Sequence, residues 1–299
     1  MKLDRPEWLT LPAPDEDELM RMKRLLDAGH LHTVCESADC PNIGECFGNR
    51  ICTFMILGDV CTRNCRFCAV TPGRPAPVDK NEPEAVALTA RQLGLKHVVV
   101  TSVTRDDLPD GGAGHFAATI RALRREVPEA TVEVLIPDFR GDFEALNQVI
   151  EARPDVINHN VETVPRLYPV VRPQAVYSRS LELLHRVNAA DENILTKSGL
   201  MLGLGETIPE VIRVMAELRE VGCHVVTLGQ YLCPSPQHLP VVDYITPDTF
   251  AQLEQIGYDM GFDAVHAGPL VRSSYMASQT MDKLRSIYRR RGGEEVGHD

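Results

Sequence analysis

No stretch of this sequence approaches the roughly 20 consecutive apolar residues that a membrane-spanning helix needs. The amino terminus, Met1-Lys2-Leu3-Asp4-Arg5-Pro6, opens a polar, acid-containing segment without the apolar core of a secretory signal. Basic charge is scarce as well: 31 Lys and Arg stand against 42 Asp and Glu, a net charge of -11. Phosphate binding requires a basic surface, so this balance argues against nucleic acid as the main partner. The local clusters at Arg121, Arg124 and Arg125 and at Tyr288-Arg289-Arg290-Arg291 read as solvated helix and tail charges. Aromatic residues are few, at 5% with one Trp, and the 43% hydrophobic fraction is ordinary for a soluble globular protein. The expectation is a cytoplasmic protein with neither a membrane nor a nucleic-acid partner.

Thiols in a reducing cytosol stay free for metal or redox chemistry and do not staple a fold. The chain has nine of them, an odd number, and six fall into two triplets: Cys35-x4-Cys40-x5-Cys46 and Cys61-x3-Cys65-x2-Cys68. A structural zinc site or a ferredoxin cluster normally takes four protein ligands. Two sets of three therefore suggest two metal centres, each holding one position open or recruiting a ligand from elsewhere.

A chain of 299 residues can bury one substantial core. Leu19, Met22, Leu25 and Leu26 recur at helical spacing and predict an amphipathic helix over 15–28. Residues 35–50 show no periodicity, and such a segment has little reason to order itself unless a bound group holds it. From Thr53 onward, short β-branched runs alternate with helical stretches. Strands are predicted at Thr53 to Leu57, His97 to Ser102, Thr131 to Leu135, Val156 to Asn158, Ile194 to Met201 and Val225 to Leu232, and helices near 82–94, 115–126, 142–152, 178–189, 209–221 and 247–260. Six βα units argue for a parallel sheet and are too few for a complete eight-stranded barrel, leaving a partial barrel or a doubly wound sheet. In either, chemistry sits at the carboxyl ends of the strands. The polar and Gly-rich residues obey this rule, from Cys61, Cys65 and Cys68 to Thr101-Ser102, Asn158-His159-Asn160-Val161-Glu162, Gly203-Leu204-Gly205-Glu206 and Gln230-Tyr231.

Cys61, Cys65 and Cys68 sit close enough in sequence to hold three corners of a cubane 4Fe-4S cluster, which leaves the fourth iron without a protein ligand. The bland alternative is a zinc knuckle completed by a distant His. The spacing, the aromatic Phe67 before the last Cys and the position after a first strand resemble the radical S-adenosylmethionine (SAM) superfamily. That resemblance implies that SAM chelates the open iron and is cleaved by an electron from the cluster to a 5'-deoxyadenosyl radical that abstracts hydrogen. Asp110-Gly111-Gly112 resembles the superfamily's glycine-rich loop, against the alternative of a plain turn. Gly203-Leu204-Gly205-Glu206 lacks the third glycine of a dinucleotide fingerprint and is expected to approach SAM closely. Ser102, Asn158, His159, Asn160, Glu162 and Lys197 are expected to line the same pocket.

The other triplet, Cys35, Cys40 and Cys46, does not have zinc-finger spacing. With Arg5-Pro6-Glu7-Trp8-Leu9, Arg105-Asp106-Asp107-Leu108, Thr196-Lys197-Ser198-Gly199, Gly229-Gln230-Tyr231-Leu232 and Arg272-Ser273-Ser274-Tyr275, it resembles the lipoyl synthase family over nearly the whole chain. The resemblance implies a partial (β/α)6 TIM-like barrel over 51–260. An N-terminal extension over 1–50 carries the auxiliary-cluster cysteines, and a C-terminal extension over 261–299 supplies Ser274 as that cluster's fourth ligand before a flexible tail. It further implies two 4Fe-4S clusters, SAM as cofactor, and sulfur insertion at C6 and C8 of an octanoyl chain on a lipoyl carrier domain. The carrier is the E2 component of a 2-oxoacid dehydrogenase or the H protein of glycine cleavage, and the electron donor a flavodoxin or ferredoxin. The rivals are another sulfur-inserting enzyme of the superfamily, such as a biotin synthase, and a zinc-binding interaction module. Of the remaining cysteines, Cys52 and Cys223 read as small buried hydrophobes and Cys233 as a residue near the active face.

Overall fold

Each β-branched run predicted from the sequence becomes a strand in the computed structural model, which describes residues 4–10, 16–29, 31–37, 40, 42–48 and 52–274. Tyr275, the basic cluster at 288–291 and the tail at 292–299 lie outside the described residues. The chain begins with helix α1 (Glu16–Ala28), a two-residue strand β1 (His32–Thr33) and two short helices, α2 (Val34–Ser37) and α3 (Ile43–Gly48). Strand β2 (Thr53–Ile56) then leads into a small pair, β3 (Val60–Cys61) and β4 (Thr71–Pro72). The βα series continues with α4 (Glu82–Leu93), β5 (His97–Ser102), α5 (Ala113–Glu126), β6 (Thr131–Leu135), α6 (Phe143–Glu151) and β7 (Val156–Asn158). It ends with α7 (Tyr168–Val171), α8 (Tyr177–Ala190), β8 (Leu195–Leu202), α9 (Ile208–Glu220), β9 (Val225–Gln230), α10 (Pro247–Asp259) and β10 (Ala264–Gly268).

One sheet runs β1-β2-β5-β6-β7-β8-β9-β10. Every neighbouring pair is parallel except β1 with β2, where His32 faces Met55 and Thr33 faces Phe54 in antiparallel register. The sheet is curled and open, a partial barrel, with β1 and β10 as its two edges. Strand β10 was not expected. Its sequence, Ala264-Val265-His266-Ala267-Gly268, is too poor in β-branched residues to announce itself, yet it pairs along its length with Val225 to Gly229. The barrel therefore continues past the expected boundary at residue 260, and the C-terminal extension begins after Gly268.

The helices cover the outside of the sheet. Along α5, Phe116, Ala117, Ile120 and Leu123 are buried, one face at helical spacing. Helix ends follow local chemistry: Gly94 closes α4 at φ 66°, Asp142 caps α6, and Thr207 with Glu210 forms a capping box on α9 ahead of Pro209. The barrel interior is layered. Val156, Leu195, Val225 and Ala264, the first residues of their strands, pack together and plug the amino-terminal end. Above them lies a polar layer in which Glu133, 1% exposed, takes the Lys197 ammonium at 2.9 Å and the Asn158 amide at 3.4 Å. His97 Nε2 lies 3.4 Å from the other Glu133 oxygen. The carboxyl ends of the strands open above this layer. Among the described residues, no helix is long and apolar enough to cross a membrane.

Candidate functional site

The second triplet begins where β3 ends. Cys61 Sγ accepts the backbone amides of Arg63 at 3.4 Å and Thr104 at 3.3 Å. The loop that follows is fastened to three separate strand ends. The Thr62 amide donates to Thr104 O after β5, the Arg66 amide to Val171 O after β7, and the Leu239 amide beyond β9 to Arg66 O. His238 adds a fourth tie by donating Nε2–H to the Cys68 carbonyl at 3.0 Å. Arg63, between the first two cysteines, is buried and forks into two carboxylates: Nε meets Asp106 at 2.7 Å and Nη2 meets Asp138 at 2.6 Å. Asp138 also takes Arg179 at 3.0 Å. Burial alone would raise the Asp138 carboxyl, but the hydrogen bond and charge of Arg63 outweigh it and hold Asp138 well below the usual carboxylate range. The loop is thus clamped by its own side chain as well as by its backbone.

The first triplet is built from α2, α3 and the turn between them: Cys35 on α2, Cys40 after it and Cys46 on α3. Sequence periodicity gave no sign of these short helices. They are ordered by β1 pairing with β2, by Thr33 donating to Glu36 at 2.9 Å, and by the Cys40 amide bonding Cys35 O at 3.1 Å. The C-terminal segment after β10 reaches the same place. Asn42 donates to Leu270 O at 2.7 Å, and the Thr53 hydroxyl donates to Ser274 Oγ at 3.0 Å. This approach requires Gly229, because a Cβ there would lie 2.1 Å from the Val271 carbonyl oxygen.

A cavity of about 520 Å³ joins the two regions. All six triplet cysteines line it, together with Ser274, Arg5 and Arg272. Burial pushes the thiols of Cys35 and Cys65 up to about 11 and that of Cys68 up to about 12, so without a metal they are neutral and metal binding must release their protons. Among the described residues, no three His, Cys, Asp or Glu side chains converge on a point suited to a single ion. The thiols of a cubane stand on different irons and need no such convergence.

Polar atoms around the cavity also fit a bound polar molecule. Of the seven buried side-chain polar atoms without a hydrogen-bond partner among the described residues, four belong to cavity-lining residues: Asn42 Oδ1, Ser102 Oγ, Asn160 Oδ1 and Arg172 Nε. Unpaired buried groups are costly, and amino, carboxylate and hydroxyl groups such as those of SAM are their natural complements. Glu162 stands among them at φ 65°, a left-handed conformation held by its amide on Gly199 O and its carbonyl on the Met201 amide. Burial pushes its carboxyl up, and Asn160 donates to it at 3.1 Å.

Phe67, Ser102, Asn160 and Glu162 line the cavity, as does His159, bonded on one ring nitrogen to Ile136 O and on the other to Ser180 Oγ. The other residues expected to meet SAM are not among those that line this cavity. Asn158 and Lys197 belong to the polar layer beneath, committed to Glu133. Asp110 accepts the amides of Gly112 and Gly114 and starts α5; Gly111 and Gly112, at φ 62° and 92°, form the tight turn there, the plain-turn alternative. Glu206 caps its own turn by accepting the amides of Gly203 and Leu204, and Gly203 packs against Gln230 and the Asp243 carbonyl. Sequence reasoning passed over Arg63, Asp138 and Arg172. Their partners lie across the fold, Arg172 on the carbonyls of Asn160 and Val161, and no local pattern marks such pairs.

Residues 55–218 match the family model of the radical SAM superfamily. The chain is 60% identical over 285 residues to a lipoyl synthase of Caldanaerobacter subterraneus subsp. tengcongensis, covering 95% of this chain and 100% of that one. It is 56% identical over 289 residues to a lipoyl synthase of Rubrobacter xylanophilus, covering 96% and 90%. Among solved structures, methylornithine synthase superposes with a TM-score of 0.52 at 14% identity, over 87% of this chain and 80% of that one. HydG, a maturase of the FeFe-hydrogenase, does so with a TM-score of 0.57 at 16% identity, over 86% and 57%. These structural likenesses establish the barrel, while the sequence relatives, near full length at over half identity, go further: the chain belongs to the lipoyl synthase family of the radical SAM superfamily.

Proposed function

We propose that this chain inserts two sulfur atoms, at C6 and C8, into an octanoyl chain amide-linked to a lysine of a lipoyl carrier domain, with two SAM cleaved. The observation that carries this reading is that both cysteine triplets and Ser274 line one cavity. The superfamily implies one 4Fe-4S cluster and SAM, for which Cys61, Cys65 and Cys68 are the ligands. Cys35, Cys40, Cys46 and the Ser274 oxygen would hold a second, auxiliary cluster. When bound, the first cluster supplies the electron that splits SAM for hydrogen abstraction, and the second supplies the sulfur.

The chain's own residues prepare the cavity for this. Arg63, tied to Asp106 and Asp138, holds the second triplet in one conformation. Asn160 and Arg172 present unpaired polar atoms to a ligand, and Glu162 presents a carboxyl. Phe67, Val103, Leu135, Ile136 and Met201 make part of the wall apolar, which keeps water from a reactive radical. Ser274 would give the auxiliary centre one oxygen among sulfurs, a weak corner for iron, and the Thr53 hydroxyl that donates to it would stabilise that oxygen once deprotonated. An open barrel suits an acyl arm delivered on another protein, the E2 component of a 2-oxoacid dehydrogenase or the H protein of glycine cleavage. A flavodoxin or ferredoxin supplies the electrons.

The test is an anaerobic incubation with SAM, reductant and an octanoylated carrier domain, read by the mass of the carrier. Gain of sulfur is expected; 5'-deoxyadenosine without sulfur on the carrier would overturn the reading. Metal analysis separates it from a zinc-binding module, since two cubanes require about eight irons per chain.

A further inference from the structure

Cys52 reads from the sequence as a small buried hydrophobe, and it is 3% exposed. It packs within the main hydrophobic cluster of the barrel, but that is not its only neighbourhood. It lines the same cavity as Cys35, Cys40, Cys46 and Ser274. It is near enough to Cys35 and Cys46 for the charges of the three sulfurs to interact, and no hydrogen bond engages its thiol among the described residues. The next residue, Thr53, reaches the same corner: its hydroxyl donates to Ser274 Oγ at 3.0 Å. Cys52 and the contact to Ser274 therefore both arise at the start of β2, beside the same thiols.

We propose that Cys52 is a second candidate ligand for the corner of the auxiliary centre held by Ser274, and takes that iron when the serine oxygen leaves. The inference rests on the auxiliary-cluster reading above. Iron bound among sulfurs prefers a thiolate to an alkoxide, so a buried thiol beside an oxygen-ligated corner is a ready replacement. The exchange breaks one iron–oxygen bond and forms one iron–sulfur bond. The thiol proton passes to the Ser274 oxygen, and no electron is transferred. The serine then keeps the corner labile while Cys52 prevents the vacated iron from escaping.

The experiment isolates the auxiliary centre by replacing Cys61, Cys65 and Cys68 with Ala together and counting iron and sulfide after anaerobic purification. This parent is expected to hold about four irons, with one oxygen-ligated iron in its Mössbauer spectrum. Ser274→Ala in this background is expected to keep about four irons, now all sulfur-ligated, and Ser274→Ala with Cys52→Ala to lose them. Cys52→Ala with Ser274 intact should retain the iron, which also shows that the substitution is tolerated by the fold. Loss of iron in Ser274→Ala alone, its retention in the double variant, or its loss in Cys52→Ala would each overturn the proposal. A parent that binds no iron would instead overturn the auxiliary-cluster reading, and this proposal with it.

Discussion

At the scale of single residues, the site separates groups that bind from groups that hold others in place. On the proposed reading, Ser274 belongs to the first kind. Ser274→Ala is expected to preserve SAM cleavage and abolish the sulfur-bearing product, measured as 5'-deoxyadenosine against carrier mass; full sulfur insertion by this variant would remove the serine from the mechanism. Arg63 belongs to the second kind, since it reaches the cavity's chemistry through the loop it clamps. Arg63→Gln leaves Asp138 with Arg179 as its remaining ion-pair partner and loosens the loop, and supporting residues around metal ligands typically matter about 10–100-fold. SAM cleavage should fall by about that factor, with iron content reduced. Arg63→Lys should rescue little, because a point charge cannot bridge Asp106 and Asp138 as a guanidinium fork does.

Among the elements, strands β6 and β8 are joined inside the barrel by the buried Glu133–Lys197 pair at 2.9 Å. Burial pushes the Glu133 carboxyl up, but the charge of Lys197 and the nearby His97 outweigh this and bring it down to about 2 from 4.5. A depressed carboxyl stabilises the fold above its unfolded value and loses that contribution as pH falls. The stabilisation from Glu133 should therefore be complete above about pH 4.5 and fade toward pH 2. Glu133→Gln leaves a buried ammonium without its partner and should cost about 3–5 kcal/mol near neutrality. Urea unfolding of the two proteins as a function of pH should show the difference shrinking through that acid window. Strand β9 carries a different constraint: Gly229→Ala drives a methyl into the Val271 carbonyl. It should displace the segment bearing Ser274 and abolish the sulfur-bearing product while the second triplet still supports SAM cleavage, a split that carrier mass and a 5'-deoxyadenosine assay would reveal. Periodicity disclosed six of the strands because their β-branched runs are buried on both faces of a parallel sheet. It missed β10, which is held by pairing with β9 more than by its own composition, and it missed α2 and α3, too short to show a period. Both triplets were legible from spacing. Ser274 was legible only through family resemblance, since nothing local distinguishes Ser273-Ser274 from a loop, and Arg63 with Asp138 was hidden because the contact spans 75 positions.

For the whole molecule, the segment that follows β10 returns to the first triplet near the start of the chain. Ending the chain after Gly268 should accordingly leave a protein still able to cleave SAM and unable to modify the carrier. Carrier mass and the 5'-deoxyadenosine assay would check this together. The two bonds that bring these segments together, Asn42 to Leu270 and Thr53 to Ser274, span 228 and 221 positions. That distance imposes an order on biogenesis. Synthesis proceeds from the amino terminus, so Cys35, Cys40 and Cys46 leave the ribosome long before Ser274 exists. The second triplet's ligands are all present within eight consecutive residues, from Cys61 to Cys68. On the proposed reading, the serine corner of the first triplet's site is thus the last ligand to arrive, on a chain that is nearly finished.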